Sequence, residues 1–151
     1  MLLIRDFERG DQTAARQLIL NGLADHWGTL DLTLNPDLND IAVSYANGIF
    51  LVACWVETLH ATSLLVGTGA LIPEGSRSGR IVRMSVDRVL RRRGIGRALL
   101  DALIERGRER RYREIVLETT ETWEDAVGFY QRYGFETIGF ADGDRHFRLL
   151  L

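Results

Sequence analysis

The chain has 151 residues and a mass of 17.1 kDa, and 46% of its residues are hydrophobic and 26% charged. These proportions are typical of one globular domain and exclude a disordered chain or a collagen-like fibre. No apolar run reaches the roughly 20 residues that cross a bilayer, and Arg5 and Asp6 interrupt the first apolar stretch, so we expect a cytoplasmic protein without a signal peptide. Cys54 is the only cysteine and the three histidines lack ligand spacing, so we expect neither a disulfide nor a metal.

Charge is unevenly distributed along the chain. All 19 basic residues are arginine. Residues 77–113 hold 13 of them against four acids, a local charge of +9, whereas the remainder holds six arginines and 17 acids, a charge of −11. Because the planar guanidinium pairs well with phosphate, this pattern predicts that one surface meets an anionic ligand.

Apolar spacing predicts a mixed α+β fold. The predicted elements, in chain order, are a strand at 2–7, a helix from residue 11, a loop at 26–39, a short helix at 41–45, strands at 49–57, 64–72 and 80–86, a helix at 94–110, a strand at 114–119, a helix at 122–134, and strands at 135–140 and 145–151. The helix between the strands at 80–86 and 114–119 makes a βαβ unit, whose strands run parallel. We expect one domain over residues 1–151.

Local signals define the first helix and the neighbouring strands. Asp11 is the predicted N-cap of this helix, and Ala14, Leu18 and Gly22 form its predicted inner face. The runs at 49–57 and 64–72 are rich in β-branched and aromatic residues and predict an antiparallel pair.

The end of the chain carries further signals of this kind. Thr122 and Asp125 have the spacing of a capping box, and Gly134 is placed to end the helix that follows them. The Asp142-Gly143 pair predicts the tight turn of a hairpin between the last two strands.

The most informative segment lies where the strand at 80–86 gives way to a helix. Its sequence is Arg91-Arg92-Arg93-Gly94-Ile95-Gly96-Arg97-Ala98. Glycines let an anion approach the backbone, and the free amides of a helix's first turn attract phosphate oxygens. No Gly-Lys-Ser/Thr follows, and Leu99 breaks the G-x-G-x-x-G pattern, so we expect a phosphate carrier other than a P-loop nucleotide or a dinucleotide.

This segment and the strand at 81–86 resemble the acyl-CoA signature, Arg-x-x-Gly-x-Gly, of the GNAT superfamily of N-acetyltransferases. A second motif, Ala126-x-x-Phe129-Tyr130-x-x-x-Gly134-Phe135, is similar to the family's later signature. The predicted order of elements fits the family over nearly the whole chain. The resemblance implies a GNAT-like mixed sheet of about six to seven strands flanked by about four helices, with a βαβ acyl-CoA-binding core. It also implies an acetyl-CoA-dependent N-acetyltransferase that works by direct attack in a ternary complex.

The resemblance further implies how acetyl-CoA is held. The amides from Arg92 to Ala98 would bind the pyrophosphate, and the side chains of Arg88, Arg91 and Arg97 would reach the phosphates. The edge formed by Met84, Ser85 and Val86 would pair with the pantetheine arm where this strand splays from the strand at 114–119. The Val86 amide would then stabilise the oxyanion that forms when an amine attacks, an effect of roughly a few kcal/mol.

Two side chains match the family's acid and base positions. Tyr130 matches the general acid that protonates the departing CoA thiolate, and its competing interpretation is a core aromatic. Glu118 lies twelve residues before Tyr130, the offset of a base in the branch that resembles enzymes acetylating protein N-termini. Arg80 stands where another branch has a glutamate. A solvent-facing Glu118 without a catalytic role is the competing interpretation, and the substitutes, acting through water, are Glu57, Glu74 and Glu121.

Aromatic residues and histidines near the predicted site have less specific interpretations. Trp123 stands where the family often has asparagine, and it is a candidate for packing against substrate. His26 and Trp27 fall in the stretch that corresponds to the acceptor-binding loop, where an aromatic side chain could cover the acceptor. His60, in the connector between two strands, is a predicted surface residue, and Cys54 a predicted core residue.

The acidic remainder of the chain favours a cationic amine acceptor through electrostatic steering. A small molecule and a protein amine both fit, the acyl group could be longer than acetyl, and homodimers are frequent in the family. Two other functions compete with this one. The arginine-rich segment could bind RNA or DNA, although aromatic residues are not interleaved with the arginines as single-strand stacking requires. Alternatively, the domain binds CoA without turnover.

Overall fold

The computed structural model describes residues 1–57 and 62–151, and the prediction for His60 lies outside them. The described helices and strands are β1 (Leu2–Asp6), α1 (Gln12–Trp27), α2 (Ile41–Ser44), β2 (Ile49–Glu57), β3 (Thr62–Glu74), β4 (Ser78–Val86), α3 (Ile95–Glu109), β5 (Glu114–Thr120), α4 (Glu124–Tyr133), β6 (Glu136–Ala141) and β7 (Asp144–Leu150). Short 3-10 turns connect several of them. The predicted succession of strands and helices is confirmed.

The strands form a single mixed sheet in the order β1-β2-β3-β4-β5-β7-β6. Strands β4 and β5 run parallel, and every other neighbouring pair is antiparallel. This arrangement confirms the βαβ unit around α3 and the antiparallel pair of β2 and β3. Because β4 and β5 are parallel, their carboxyl ends lie at the same edge of the sheet, and α3 and α4 both begin there.

Helices cover both faces of the sheet. One core cluster joins α3 and α4 to the sheet through Leu99, Leu103, Tyr130 and Phe147 among others. The second joins α1 and α2 to the opposite face. Cys54 lies in this second cluster and is buried, as predicted. Burial on both faces explains why β2 reads as a nearly continuous apolar run.

Helix α1 confirms one sequence prediction and corrects part of another. Asp11 occupies the predicted N-cap position, although its side chain makes no capping hydrogen bond and accepts from Arg5 at 2.7 and 2.9 Å instead. Of the predicted inner face, Leu18 and Gly22 are half-buried and Ala14 is exposed. The buried residues are Ala15, Ile19 and Leu20. Apolar residues occur around much of this helix, so their spacing admits more than one inner face.

Helix α4 and the last hairpin give one correction and two confirmations. Trp123, not Thr122, occupies the N-cap position and makes no side-chain capping bond, so the predicted capping box is wrong. Gly134 ends the helix at φ 121°, as predicted. Asp142 and Gly143 both have positive φ, 53° and 82°, which is the conformation of the predicted hairpin turn.

None of the helices in the described residues combines the length and the apolar character that a membrane-spanning helix needs. Within residues 1–57 and 62–151, no group of three or more His, Cys, Asp or Glu side chains is placed to hold a metal ion.

Candidate active site

The parallel strands β4 and β5 separate partway along their length. Backbone pairing joins residues 78–80 to residues 114–116. Further along, no described residue of one strand pairs with the other, while β4 continues along β3 as far as Val86 and β5 continues along β7 as far as Thr120. The edge of β4 at residues 81–86 therefore faces an opening, which is where the sequence places the predicted pantetheine edge.

Strand β4 carries a bulge inside this open stretch. Its pairing with β3 shifts by one residue between Thr68 and Ala70, so Arg83 and Met84 together face one residue of β3. Arg83 has φ 57°, a left-handed conformation that costs a non-glycine residue about 1–2 kcal/mol. The buried Thr68 hydroxyl donates to the Arg83 carbonyl oxygen at 2.8 Å and supports the bulge.

The bulge decides where the Val86 amide points. Successive amides along a strand alternate between its two edges, and one inserted residue reverses all those that follow. The Asp87 amide donates to the Val66 carbonyl oxygen of β3 at 2.8 Å. The Val86 amide therefore points to the other edge, into the opening.

The turn between β4 and α3 presents its backbone to solvent. Arg92 and Gly94 have φ values of 65° and 80°, and left-handed residues of this kind curl successive amides into an anion-binding concavity. No described residue accepts a backbone hydrogen bond from the amides of 91–97. The Ala98 amide donates to the Gly94 carbonyl oxygen at 3.0 Å, so it closes the first turn of α3 rather than adding a free donor.

Arg88, Arg91 and Arg97, whose side chains were predicted to reach the phosphates, lie around this turn and are exposed. Arg92 and Arg93 are exposed as well. Arg91 Nε lies 3.5 Å from the Val86 carbonyl oxygen, and Arg97 lies over the Tyr133 ring at 5.6 Å. The turn is thus open and surrounded by positive charge.

Tyr130 lies on α4 close to this turn. A Cβ atom added to Gly96 would lie 3.6 Å from Phe129 and 3.7 Å from Val86, so the start of α3, the end of β4 and α4 meet here. Tyr130 is only 7% exposed, and burial raises its pKa well above the ordinary value near 10. Within the described residues, the Tyr130 ring packs against Phe129, Phe135 and Phe147.

The candidate bases on and near β5 are held by arginines. Glu118 forms an ion pair with Arg80, which also donates to both carboxylate oxygens of Glu74, at 2.9 and 3.1 Å. Arg145 donates to both oxygens of Glu121, at 2.8 and 2.6 Å, and these bonds hold the pKa of Glu121 below its usual value. Of these three carboxylates, only Glu118 keeps an oxygen, Oε1, with no hydrogen-bond partner in the described part of the chain.

An aromatic stack bounds the site on the side of α1. The rings of His26 and Trp123 lie nearly parallel, with centroids 4.2 Å apart, and Trp27 meets His26 edge-on at 4.6 Å. His26 and Trp123 line a cleft of about 390 Å³. A second cleft of about 270 Å³ is lined by Val86 and shares Arg91 with the first. The end of α1 thus faces the end of β4.

Two polar contacts in this region have no sequence signal. Asp25 of α1 lies 3.8 Å from Arg88, in the turn after β4, and both residues line the two clefts. Arg83 forms a bidentate ion pair with Asp37, which lies in the connection between α1 and α2. Contacts between residues so distant in sequence leave no periodicity or motif that could predict them.

Comparisons with known proteins agree with the geometry. Residues 14–135 match the model of the Acetyltransferase (GNAT) family. The chain is 31% identical over 116 residues to N-acetyltransferase 8B of Homo sapiens, covering 73% of this chain and 49% of that protein. It is also 31% identical over 113 residues to a probable N-acetyltransferase, family 8 member 5, of Mus musculus, covering 70% and 47%. The chain spans about half the length of the curated relatives it matches.

Solved structures show the same fold. An acetyltransferase of the GNAT family from Staphylococcus aureus Mu50 superposes with a TM-score of 0.87 at 26% identity, covering 100% of this chain and 99% of that one. The PaiA N-acetyltransferase of Thermoplasma acidophilum, in complex with coenzyme A, superposes with a TM-score of 0.84 at 15% identity and the same coverage. The motifs, the open strand edge, the family model and the fold agree, and the chain belongs to the acetyltransferase (GNAT) family.

Proposed function

We propose that the chain is an N-acetyltransferase that moves the acetyl group of acetyl-CoA to a primary amine by direct attack in a ternary complex. The observation that carries this proposal is the open edge of β4, which ends at Val86 beside a turn whose amides have no acceptor in the described part of the chain. A strand edge can pair with the amide groups of a pantetheine arm, and a helix start can bind a diphosphate. We also infer that residues 1–151 act as one cytoplasmic domain.

The turn at 92–97 would bind the pyrophosphate of the donor. Its amides have no acceptor among residues 1–57 and 62–151, and the dipole of α3 favours negative charge there. Arg91, Arg92 and Arg93 add charge that does not depend on pH in the physiological range. With the diphosphate held at this turn, the thioester would lie along β4 near Val86.

The transfer step would use the Val86 amide and the Tyr130 hydroxyl. The amine nitrogen attacks the thioester carbon, and the Val86 amide donates a hydrogen bond to the carbonyl oxygen as it gains charge. The carbon–sulfur bond then breaks. The Tyr130 hydroxyl gives its proton to the departing thiolate, whose conjugate acid is a stronger acid than an ordinary phenol only by about 1.5 pKa units. Burial raises the pKa of Tyr130 further and so makes the phenol a weaker acid. A thiolate that forms in the same desolvated site is also a stronger base than in water, and this change favours the proton transfer.

Glu118 is the base that the geometry favours. An alkylammonium ion must lose a proton before its nitrogen can attack. Arg80 and Arg145 occupy both oxygens of Glu74 and Glu121, whereas Glu118 keeps Oε1 free of any described partner, to accept a proton directly or through water. Glu57 ends β2, two strands away from β4.

The acceptor is proposed to be cationic. The cleft between α1 and α4 is lined by three carboxylates and two guanidinium groups, and the rings of His26 and Trp123 lie beside them. The charged lining residues are Asp25, Glu124, Asp125, Arg88 and Arg91. Carboxylates attract an ammonium group, and an aromatic face adds a cation–π contact.

A thermal-shift and calorimetric titration tests the proposal. Acetyl-CoA binds only the folded chain, so it should raise the unfolding temperature in a concentration-dependent way. A panel of amines, followed by transfer assays at several salt concentrations, should then find cationic acceptors fastest, with rates that fall as salt rises. No shift and no heat with any coenzyme A derivative would overturn the donor assignment. Turnover that is indifferent to salt and fastest with neutral or acidic amines would overturn the acceptor assignment.

A further inference from the structure

Arg83 holds a strained backbone conformation at the opening between β4 and β5. It lies inside a strand, at a bulge, with φ 57°. A left-handed non-glycine residue persists only where its surroundings hold it in place. The contacts of its side chain and carbonyl group show what holds it.

The side chain of Arg83 reaches off the sheet to the connection between α1 and α2. Its Nε donates to Asp37 Oδ2 at 3.0 Å, and its Nη2 donates to Asp37 Oδ1 at 2.6 Å. Nη2 also lies 3.1 Å from Asn35 Oδ1. These contacts attach the bulge of β4 to the segment at 35–37, far from it in sequence.

Tyr45 completes the network from the other side. Its hydroxyl donates to Asp37 Oδ2 at 2.6 Å, and its ring packs edge-on against Phe50 of β2. Burial opposes charge on the Asp37 carboxylate, but the hydrogen bonds from Arg83 and Tyr45 outweigh it and hold the pKa of Asp37 below its ordinary value. The carboxylate is therefore ionised and doubly held when the protein is folded.

We propose that Asp37 and Arg83 are positioning residues, whose ion pair fixes the β4 bulge that turns the Val86 amide into the opening. The same ion pair fixes the connection between α1 and α2 relative to that amide. If either the connection or the bulge of β4 becomes mobile, the other should become mobile as well. Neither residue needs to touch the substrates. This inference rests on the proposed transfer reaction for its kinetic consequence, but the structural coupling can be measured without turnover.

Two variants and one matched control test the coupling. Asp37→Asn keeps the size of the side chain and removes its charge. Arg83→Gly removes the pair, but it also removes the backbone strain, because glycine adopts φ 57° readily. Asp11→Asn is the control, since Asp11 accepts a bidentate pair from Arg5 at 2.7 and 2.9 Å elsewhere on the molecule.

The first readout is hydrogen exchange of peptides that cover 29–40 and 81–90. We expect both peptides to exchange faster in Asp37→Asn and in Arg83→Gly, and neither to change in Asp11→Asn. The second readout is steady-state kinetics. We expect kcat to fall by about 10- to 100-fold in both test variants, because a small displacement of a catalytic donor has effects of this size. The KM for acetyl-CoA should change less than kcat, since the diphosphate is held at the turn after β4.

The outcomes separate this inference from the proposed function. Unchanged exchange at 81–90 in Asp37→Asn overturns the coupling, and so does a loss of kcat no larger than that of Asp11→Asn. A wild-type kcat in Arg83→Gly also overturns the coupling. The ion pair would then only offset the strain of a left-handed arginine and would not be needed to position the Val86 amide. A wild-type chain that binds acetyl-CoA but acetylates no amine contradicts the proposed function, while the exchange measurement still decides the coupling.

Discussion

Helices α3 and α4 both begin at the opening between β4 and β5, yet their first turns differ in charge and in backbone conformation. The start of α3 has a left-handed glycine at its N-cap, Gly94, and exposed arginines at 91–93 before it. The start of α4 has Trp123 at its N-cap and two acids, Glu124 and Asp125, in its first turn. The two helix dipoles are equivalent, so the dipole does not distinguish them.

The difference shows that a helix start binds phosphate only when conformation and neighbouring charge also favour it. The carboxylates of α4 already complement its dipole and repel an anion. The amides before and within the first turn of α3 lack a described acceptor. We therefore propose that the start of α3 binds the diphosphate and that α4 supplies the proton donor, Tyr130.

Tyr130→Phe is the variant with the largest expected effect. Removing the hydroxyl should lower kcat by about 100-fold or more, the usual contribution of a general acid, and leave the KM for acetyl-CoA unchanged. Stability should change little, because the ring keeps its packing against Phe129, Phe135 and Phe147. Burial raises the pKa of Tyr130, so the phenol stays protonated at pH values above the ordinary tyrosine pKa of about 10. The wild-type kcat should therefore not fall between about pH 8 and 10 through deprotonation of this acid.

Tyr133→Phe is the matched control for this variant. Its hydroxyl lies on the same helix and donates to Asp101 at 2.5 Å, so the substitution removes a hydroxyl that is already paired and keeps the ring under Arg97. A Tyr130→Phe enzyme with the same kcat as Tyr133→Phe would remove Tyr130 from the mechanism and α4 from its assigned role.

Gly94→Val tests the role of α3. Valine at φ 80° is strained by its branched Cβ, and nothing lies within 4 Å to clash with the new side chain, so the change acts on the conformation of the turn. We expect acetyl-CoA to bind about 30-fold more weakly, equivalent to about 2 kcal/mol, as measured by calorimetry. Gly10→Ala is the control, because Gly10 is exposed, has open space around it and has no positive φ. Binding within about threefold of wild type in Gly94→Val would separate the turn from the diphosphate.

Sequence analysis predicted those features that depend on neighbouring residues. The strands, the hairpin at Asp142-Gly143 and the end of α4 at Gly134 follow from local periodicity and turn chemistry. The two family motifs are also local, which is why the family could be identified. The inner face of α1 was predicted only in part, because its apolar residues surround the helix and packing against the sheet selects among the possible faces. Gly22 faces Ser85 of β4 as predicted, whereas Ala14 is exposed.

The parts of the site that sequence analysis missed are long-range contacts. Nothing in the sequence pairs Arg83 with Asp37 or stacks His26 on Trp123. The capping box was wrong for the same reason, since α4 starts at a tryptophan that stacks on α1 rather than at a capping hydroxyl. Arg80 was noted only as a departure from one family pattern, whereas its pairing with Glu118 depends on the alignment of β4 and β5.

Glu118→Gln tests whether Glu118 is the general base, a group that neither helix start supplies. We expect kcat/KM for the amine to fall by about tenfold or more near neutral pH, because glutamine cannot accept the proton. Glu74→Gln is the control, since Glu74 shares Arg80 but has both oxygens occupied, and its activity should stay near that of the wild type. Equal losses in the two variants would mean that both act through Arg80, and Glu118 would no longer be the base.

The double variant Glu124→Gln/Asp125→Asn neutralises the start of α4. Losing charges that complement the dipole should cost about 0.3–1 kcal/mol of stability for each residue. The KM of a cationic amine should rise by up to about threefold at low salt and return to the wild-type value at high salt, because exposed charges are screened. Acetyl-CoA binding should change little. If calorimetry showed that the double variant binds acetyl-CoA about ten times more tightly than the wild type, the start of α4 would be a second anion site. The two helix starts would then not differ in the way described above.

Gly96→Ala has the smallest expected effect and tests which property of the α3 turn matters. The new Cβ would contact Phe129 at 3.6 Å and Val86 at 3.7 Å, both ordinary distances, and Gly96 lies in the helix without a positive φ. Alanine is favoured over glycine inside a helix by up to about 1 kcal/mol, so the unfolding temperature should rise slightly while the Kd for acetyl-CoA stays within about twofold of wild type. If Gly96→Ala weakened binding as much as Gly94→Val, the ligand itself would have to approach residue 96 too closely for a methyl group. The left-handed conformation at Gly94 would then not be what distinguishes α3 from α4.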